Sequence, residues 1–208
     1  MKHLDICEIF YSLQGESSYM GMPCVFVRLA GCNLRCSYCD TTYSHSRGRM
    51  MSFEEIISEV SQYPAKLVEL TGGEPLWQEE SPALMQALLE RGYTVLLETN
   101  GSLYLDEVPR DVIKIVDIKC PGSSEGDSFQ FANLKLLAPH DEIKFVLTNY
   151  PDYCFAREII QRYQLAGRGL HFSPVTQLLP AGLLAEWLLA DGLPVKLGMQ
   201  LHKMLNLR

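Results

Sequence analysis

One stretch of the chain reads Cys24-Val25-Phe26-Val27-Arg28-Leu29-Ala30-Gly31-Cys32-Asn33-Leu34-Arg35-Cys36-Ser37-Tyr38-Cys39. Its first six residues are apolar or β-branched apart from Arg28, which is the composition of a buried strand. Three cysteines at C-x3-C-x2-C spacing follow directly. The stretch therefore predicts a buried strand, residues 24–29, that runs into a cysteine-bearing loop.

The spacing of Cys32, Cys36 and Cys39 indicates which metal group they would hold. A four-iron cluster normally takes four thiolates, one for each iron. Three close thiolates would leave one iron open to bind and activate a small molecule, much as a catalytic zinc keeps one position free. The alternative is a zinc site completed by His45, although zinc sites usually combine C-x2-C pairs with a distant second pair.

Outside this stretch, short aliphatic runs alternate with amphipathic ones, a pattern that predicts parallel strands joined by helices. About six such βα units fit the chain, fewer than the eight of a closed barrel. We expect an α/β fold, an incomplete TIM-type barrel in a single domain over residues 1–208. An open doubly wound sheet is the alternative. One helix is predicted after the Ser52–Glu55 capping box, and the last strand is predicted over residues 195–201.

Composition limits the class of protein. The net charge is −7 and no lysine-arginine block is present, whereas proteins that bind a nucleic-acid backbone usually show a basic face. Seven unevenly spaced cysteines argue against a secreted disulfide framework. No apolar run is long enough to span a membrane, and the first ten residues lack the sections of a signal peptide. We expect a cytoplasmic protein with a small-molecule substrate and neither nucleic-acid nor membrane partners.

Several motifs extend the cysteine pattern. Tyr38 is the aromatic residue before the third cysteine, and Thr71-Gly72-Gly73-Glu74-Pro75 follows a predicted strand. Together with the triplet, they resemble the radical S-adenosylmethionine (SAM) superfamily. Five more motifs narrow the resemblance to the 7-carboxy-7-deazaguanine synthase family of queuosine and deazapurine biosynthesis. They are SLQGE (12–16), CDT (39–41), ETNG (98–101), DIKCPGS (117–123) and QLHK (200–203).

This resemblance implies a reaction and its cofactors. The substrate would be 6-carboxy-5,6,7,8-tetrahydropterin, and a radical ring contraction would give 7-carboxy-7-deazaguanine with loss of ammonia. A 4Fe-4S cluster, SAM and Mg²⁺ would be the cofactors, and the hydrogen-abstracting species would be a 5′-deoxyadenosyl radical. The protein's part is then to orient the groups and to exclude water. The resemblance also implies a radical SAM core, a homodimer and an electron donor such as flavodoxin or ferredoxin.

Residue roles carry over from the same resemblance, position by position. The cluster ligands would be Cys32, Cys36 and Cys39, and the magnesium ligand would be Thr41. The substrate contacts would be Leu13, Gln14, Gly15, Glu16, Arg28, Thr71, His202 and the terminal carboxylate of Arg208. The SAM contacts would be Tyr38, Cys39, Gly73, Glu74, Glu98, Asn100, Lys119, Cys120 and Pro121.

Residue chemistry supports some of these roles and leaves alternatives for others. Glu16 could accept two hydrogen bonds from a pterin edge, or it could be a capping or surface carboxylate. Arg28 needs a partner in its apolar strand, either the substrate carboxylate or an internal salt bridge. Lys119 could pair with the SAM carboxylate or be solvated. Magnesium's preference for oxygen ligands alone would favour Asp40 over Thr41, and we expect Asp40 to orient magnesium-bound waters.

The remaining predictions concern loops and the other cysteines. Residues 123–128 form either a solvated loop or a lid over the site. We expect Cys7, Cys24 and Cys154 to be small core residues. Two other functions remain open from the sequence alone: a glycyl-radical enzyme activase of the same superfamily, and a zinc-stabilised binding module.

Overall fold

The computed structural model describes residues 2–207. In that range the strands are β1 (His3–Leu13), β2 (Pro23–Leu29), β3 (Arg49–Ser52), β4 (Leu67–Gly72), β5 (Thr94–Thr99), β6 (Ile113–Asp117), β7 (Glu142–Leu147), β8 (Gly169–Pro174) and β9 (Lys196–Leu197). The α-helices are α1 (Phe53–Val60), α2 (Ser81–Leu89), α3 (Tyr150–Arg162), α4 (Ala181–Asp191) and α5 (Leu201–Met204).

These strands form one sheet in the order β3-β1-β2-β4-β5-β6-β7-β8-β9. Every neighbouring pair from β2 to β9 is parallel, while β1 is antiparallel to both β2 and β3. The sheet ends at β3 and β9, so it is not closed into a barrel. The predicted α/β fold with an incomplete barrel is confirmed.

The four longer helices pack on one face of the sheet. Their buried residues, such as Leu84 in α2 and Tyr153 in α3, share one apolar cluster with the strand residues Val68, Val116 and Phe145. Side chains alternate between the two faces of a strand, so the neighbours of these strand residues point the other way. This layering has helices outside the sheet, as in a barrel. The opposite face carries buried polar residues and a second, smaller apolar cluster.

Several predicted elements agree with the structure. The strand at residues 142–147 has the predicted bounds. The strand predicted over 24–29 ends as predicted and begins one residue earlier, at Pro23. The Ser52 hydroxyl accepts a hydrogen bond from the Glu55 N–H, and the Glu55 carboxylate accepts one from the Ser52 N–H. The predicted capping box is therefore confirmed at the start of α1.

Two strands were missed, and one predicted strand is much shorter than expected. The long β1 and the short β3 are partly exposed and mix polar with apolar residues, so neither shows a continuous apolar run. The strand predicted over residues 195–201 shrinks to β9, since the chain leaves β8 after the Gly198 N–H bonds the Phe172 carbonyl. Leu201 instead begins the short helix α5.

Among the described residues, no helix is both long and apolar enough to cross a membrane.

Candidate active site

A cavity of about 810 Å³ lies on the sheet face away from the helices, near the carboxyl ends of the parallel strands. It brings together the three cysteines and most of the other predicted site residues. The predicted residues that line it are Leu13, Gln14, Gly15, Glu16, Arg28, Cys32, Cys36, Tyr38, Cys39, Thr41, Thr71, Gly73, Glu98, Asn100, Lys119 and His202. Glu74, Cys120 and Pro121 do not line it, and Arg208 lies outside the described residues.

The cysteine loop is held by the loop that follows β6. The Arg35 N–H donates to Glu125 Oε1 at 2.6 Å, and the Ser37 N–H donates to the Ser123 carbonyl at 2.9 Å. The Ser37 hydroxyl also donates to the Gly122 carbonyl at 2.9 Å. Residues 122–125 are therefore a support for the cysteine loop, which neither the solvated-loop nor the lid interpretation predicted.

The supporting loop is in turn fixed by Asp152, a fully buried residue of α3. Asp152 Oδ1 accepts a hydrogen bond from the Gly122 N–H at 2.8 Å, and Oδ2 accepts from the Thr148 N–H and hydroxyl. A Cβ atom at Gly122 would lie 2.2 Å from Thr148 Oγ1. Only glycine fits this approach, so the helix layer reaches the cysteine loop through a tightly packed contact.

The three cysteines fit a 4Fe-4S cluster in donor type and placement. All are free thiols that line the same cavity, and each is partly buried. Burial raises the pKa of Cys32 and Cys36, so iron must displace their protons on binding. His45, the residue that would complete a zinc site, has its Nε2 3.8 Å from Cys39 Sγ.

The SLQGE loop is built around Gln14, a buried residue. Its amide Nε2 donates to Glu69, and its Oε1 accepts a hydrogen bond from the Glu16 N–H at 2.9 Å. Both ends of the Gln14 side chain are thus bonded within the protein, and the residue orients Glu16. Gly15 is needed because a Cβ atom there would lie 2.0 Å from the His202 ring.

Glu16 is a partly buried carboxylate with a strong cationic partner. Lys144 Nζ donates to Glu16 Oε2 at 2.8 Å, and Gln200 Nε2 donates to Oε1 at 2.8 Å. Burial alone would raise the pKa of Glu16, but Lys144, Gln200 and nearby His202 lower it to about 2. Glu16 is therefore ionised and bonded on both carboxylate oxygens, so its capping or surface interpretation is wrong.

Lys144 and Glu69 line the same cavity but were missed from the sequence. Lys144 also donates to Glu98 and lies 3.7 Å from Asp117. Burial would lower the pKa of Lys144, but these carboxylates raise it well above its usual value. Burial and the neighbouring carboxylates Glu98 and Glu16 raise the pKa of Glu69 and favour its protonated form. Both residues could have been found from the sequence, because each is a charged residue inside an apolar strand. That reasoning was applied only to Arg28.

Arg28 has an internal partner. Its Nε donates to Glu8 Oε1 at 2.8 Å, and its guanidinium lies 5.9 Å from the centre of the Phe10 ring. The Tyr43 hydroxyl donates to the same Glu8 oxygen at 2.8 Å. The internal salt bridge is therefore present, and Arg28 still lines the cavity. Glu8 and Phe10 were missed because β1 was not recognised as a strand, and Tyr43 was missed because it lies in the irregular segment after the cysteines.

Glu74 is fully buried and does not line the cavity, so the prediction that its side chain contacts SAM is wrong. Its Oε1 accepts from the Thr99 hydroxyl at 2.8 Å and the Leu76 N–H at 3.1 Å, and its Oε2 accepts from the Asn100 N–H at 2.7 Å. Burial raises the pKa of Glu74 to about 7, against these hydrogen bonds. Glu74 therefore fastens the glycine-rich turn to the end of β5, beneath the cavity surface.

The segment after β6 divides between the cavity and the core. Lys119 Nζ pairs with Asp117 Oδ2 at 2.8 Å, so its interpretation as a solvated lysine is wrong. Cys120 belongs to the apolar core, and Pro121 is exposed outside the cavity. The prediction that both contact SAM is therefore wrong. Consecutive residues point in different directions, and the motif alone does not show which one faces the site. Cys24 is buried as predicted, Cys7 is only partly buried, and Cys154 is exposed, contrary to prediction.

The C-terminal segment closes one side of the cavity. His202 lies in α5 instead of ending a strand, and the Leu201 N–H donates to the Gly15 carbonyl at 2.9 Å. Lys203 Nζ lies 2.6 Å from Asp40 Oδ2. Thr41 Oγ1 lies 3.9 Å from Cys39 Sγ. The predicted magnesium ligand is thus next to the cysteines, and Asp40 is paired with the tail.

Comparison with known proteins agrees with this geometry. The model of the radical SAM superfamily matches residues 27–119, which include the cysteine triplet and the glycine-rich turn. A 7-carboxy-7-deazaguanine synthase of Koribacter versatilis is 50% identical over 96% of this chain and 96% of its own. That of Chlorobaculum tepidum is 46% identical over 96% of this chain and 93% of its own.

A solved structure supports the fold. The crystal structure of QueE from Escherichia coli matches with a TM-score of 0.80 and 24% identity, and the match covers 96% of this chain and 95% of that one. The sequence relatives show the family, because their identity extends over nearly the whole chain. The chain belongs to the 7-carboxy-7-deazaguanine synthase family of radical SAM enzymes.

Proposed function

We propose that this chain converts 6-carboxy-5,6,7,8-tetrahydropterin to 7-carboxy-7-deazaguanine with release of ammonia, in queuosine or another deazapurine pathway. The observation that carries the proposal is that the cysteine loop, the SLQGE loop and the ETNG segment meet in one cavity. Family membership favours this reaction over activation of a glycyl-radical enzyme.

The chain's residues can be assigned to the two cofactors. Cys32, Cys36 and Cys39 would hold a 4Fe-4S cluster, which, when bound, supplies the electron that cleaves SAM to the hydrogen-abstracting 5′-deoxyadenosyl radical. Tyr38, Gly73, Glu98, Asn100 and Lys119 would position SAM. A Cβ atom at Gly73 would lie 2.1 Å from the Gly31 carbonyl oxygen, so this glycine lets the turn pack against the cysteine loop.

The pterin would lie between the SLQGE loop and β2. Glu16 stays ionised and can accept hydrogen bonds from the amino and ring N–H groups of a pterin edge. Arg28 can bind the substrate carboxylate from the other side while Glu8 fixes its guanidinium. Leu13, Thr71 and His202 would supply the remaining contacts, together with the terminal carboxylate of Arg208, which lies outside the described residues.

Further parts of the proposal rest on the family pattern. Thr41 would bind Mg²⁺ with water molecules as further ligands. We also propose that the chain is a single radical SAM domain that works as a homodimer in the cytoplasm and receives electrons from a flavodoxin or ferredoxin.

An anaerobic assay of the reconstituted protein with SAM, dithionite and the carboxytetrahydropterin tests the reaction. The expected product is 7-carboxy-7-deazaguanine, with ammonia released in equal amount. Glu16→Gln removes the anion and is expected to lower pterin turnover strongly while the cluster remains. Absence of the deazapurine, with an intact cluster in the wild-type protein, would show that the proposed substrate is wrong.

A further inference from the structure

Lys144 binds carboxylates from three separate elements of the fold. Its Nζ donates to Glu16 in the loop after β1 and to Glu98 in β5, and it lies 3.7 Å from Asp117 at the end of β6. Its side chain is 6% exposed, so these contacts form with little access for water. Lys144 is therefore a shared partner of residues that are far apart in the sequence.

The charges around Lys144 would conflict without it. Glu16, Glu98 and Asp117 all approach the same ammonium group, and Glu69 lies next to two of them. Like charges in a poorly solvated site either take up protons or move apart. A neutral side chain at position 144 would therefore change the protonation or the separation of these carboxylates.

The two carboxylates that Lys144 contacts most closely belong to different subsites. Glu16 is the proposed reader of the pterin edge, and Glu98 is a proposed SAM contact in the ETNG segment. Both line the cavity, and they come from elements that are not neighbours in the sheet, since β2 and β4 lie between β1 and β5. The ammonium group of Lys144 is the link between them.

We propose that Lys144 is a positioning residue that fixes Glu16 and Glu98 at one separation, and so aligns the pterin with SAM for hydrogen-atom transfer. This inference rests on the proposed function. Transfer between two bound molecules depends steeply on their alignment. With poor alignment, SAM cleavage continues without product, and the 5′-deoxyadenosyl group gains its hydrogen from an electron of the assay's reductant and a solvent proton.

The test compares Lys144→Met with Lys114→Met. Lys114 is an equally buried lysine, paired with Asp141 at 3.1 Å, and it does not line the cavity. One readout is the Kd of 6-carboxypterin for the cluster-free protein, measured by calorimetry. The other is the ratio of 5′-deoxyadenosine to deazapurine formed by the reconstituted enzyme.

For Lys144→Met we expect roughly tenfold or greater weakening of pterin binding, the effect of removing one partner of a buried charge pair, and a several-fold rise in the ratio. Lys114→Met should lower the Tm and leave both readouts at wild-type values. Lys144→Arg keeps the charge on a longer group, so intermediate values are expected.

Equal readouts for Lys144→Met, Lys114→Met and wild type would overturn the inference. If Lys144→Met does not fold, Lys144→Arg decides, and wild-type values for both of its readouts would equally overturn it. Failure of the proposed function looks different, since the wild-type protein itself would then neither bind the pterin nor form the deazapurine.

Discussion

Lys203 Nζ lies 2.6 Å from Asp40 Oδ2, so an ion pair joins the C-terminal segment to the residue that follows the third cysteine. The two side chains are 39% and 54% exposed, and such exposed pairs contribute at most about 1 kcal/mol. The pair can therefore open at little cost. Its position next to Thr41 makes Lys203 a competitor of any cation bound there.

Lys203→Ala is expected to lower the Mg²⁺ concentration needed for half-maximal activity by several-fold. Removing the ammonium group leaves Asp40 available to magnesium-bound waters and removes a repulsive charge. A magnesium titration of the reconstituted enzyme measures this change. Lys196→Ala is the control, since Lys196 is also exposed and bonds the Ser18 hydroxyl. A higher magnesium requirement in Lys203→Ala would contradict the prediction.

Glu125→Ala should weaken retention of the cluster. Glu125 accepts the Arg35 N–H at 2.6 Å, and its loss frees the cysteine loop between its first two ligands. We expect faster loss of iron during incubation with a chelator, measured as iron per chain over time. Glu107→Ala removes an exposed carboxylate of another loop and should behave as wild type. Equal rates for the two variants would argue against this support.

Gly122→Ala should destabilise the fold by about 1–3 kcal/mol, the usual cost of overpacking. The added Cβ would lie 2.2 Å from Thr148 Oγ1 and 2.5 Å from Asp152 Oδ2, both of which are held by hydrogen bonds. Urea unfolding of the cluster-free protein measures the change. Gly182→Ala in α4 is the matched control, because nothing lies within 4 Å of its added Cβ. It should gain roughly 0.5–1 kcal/mol.

Glu74 predicts a pH dependence of stability. Its pKa is about 7 in the folded protein and 4.5 ordinarily, so the folded state holds this proton more tightly than the unfolded state. The protonated Glu74 therefore stabilises the fold by on the order of 3 kcal/mol below pH 4.5, and this stabilisation is lost as the pH rises to about 7. Glu74→Gln does not titrate. The difference in unfolding free energy between wild type and Glu74→Gln should therefore fall between pH 5 and pH 7.5, and a constant difference would contradict the assignment.

The parts of the structure that could be predicted from the sequence are those marked by continuous apolar runs or by motifs. Strands β2 and β7 are buried, so their composition alone identified them. The resemblance carried by the motifs predicted that the cysteines and the SLQGE loop share one site, and both line the cavity. By contrast, β1 is partly exposed and gains its order from pairing with β2 and β3, which no local pattern shows.

Errors within the site have a common physical cause. A motif gives the order of residues, while burial decides which of them faces the cavity. Glu74 and Cys120 lie in strong motifs but point into the protein. Lys144 lies in no motif, and although its charge in an apolar strand marked it, its partners Glu16 and Glu98 became known only from the sheet. The binding roles of the residues that do face the cavity stay predictions.

Because the longer helices lie on one face of the sheet, the residues of the two faces must meet different requirements. Residues between helices and sheet need only to remain apolar and to fill space, and many combinations of side chains do so. The opposite face must keep particular charges at particular separations. The helical layer can therefore diverge widely among relatives while the reaction stays the same, with Asp152 as an exception, because this helix residue reaches through Gly122 to the cysteine loop.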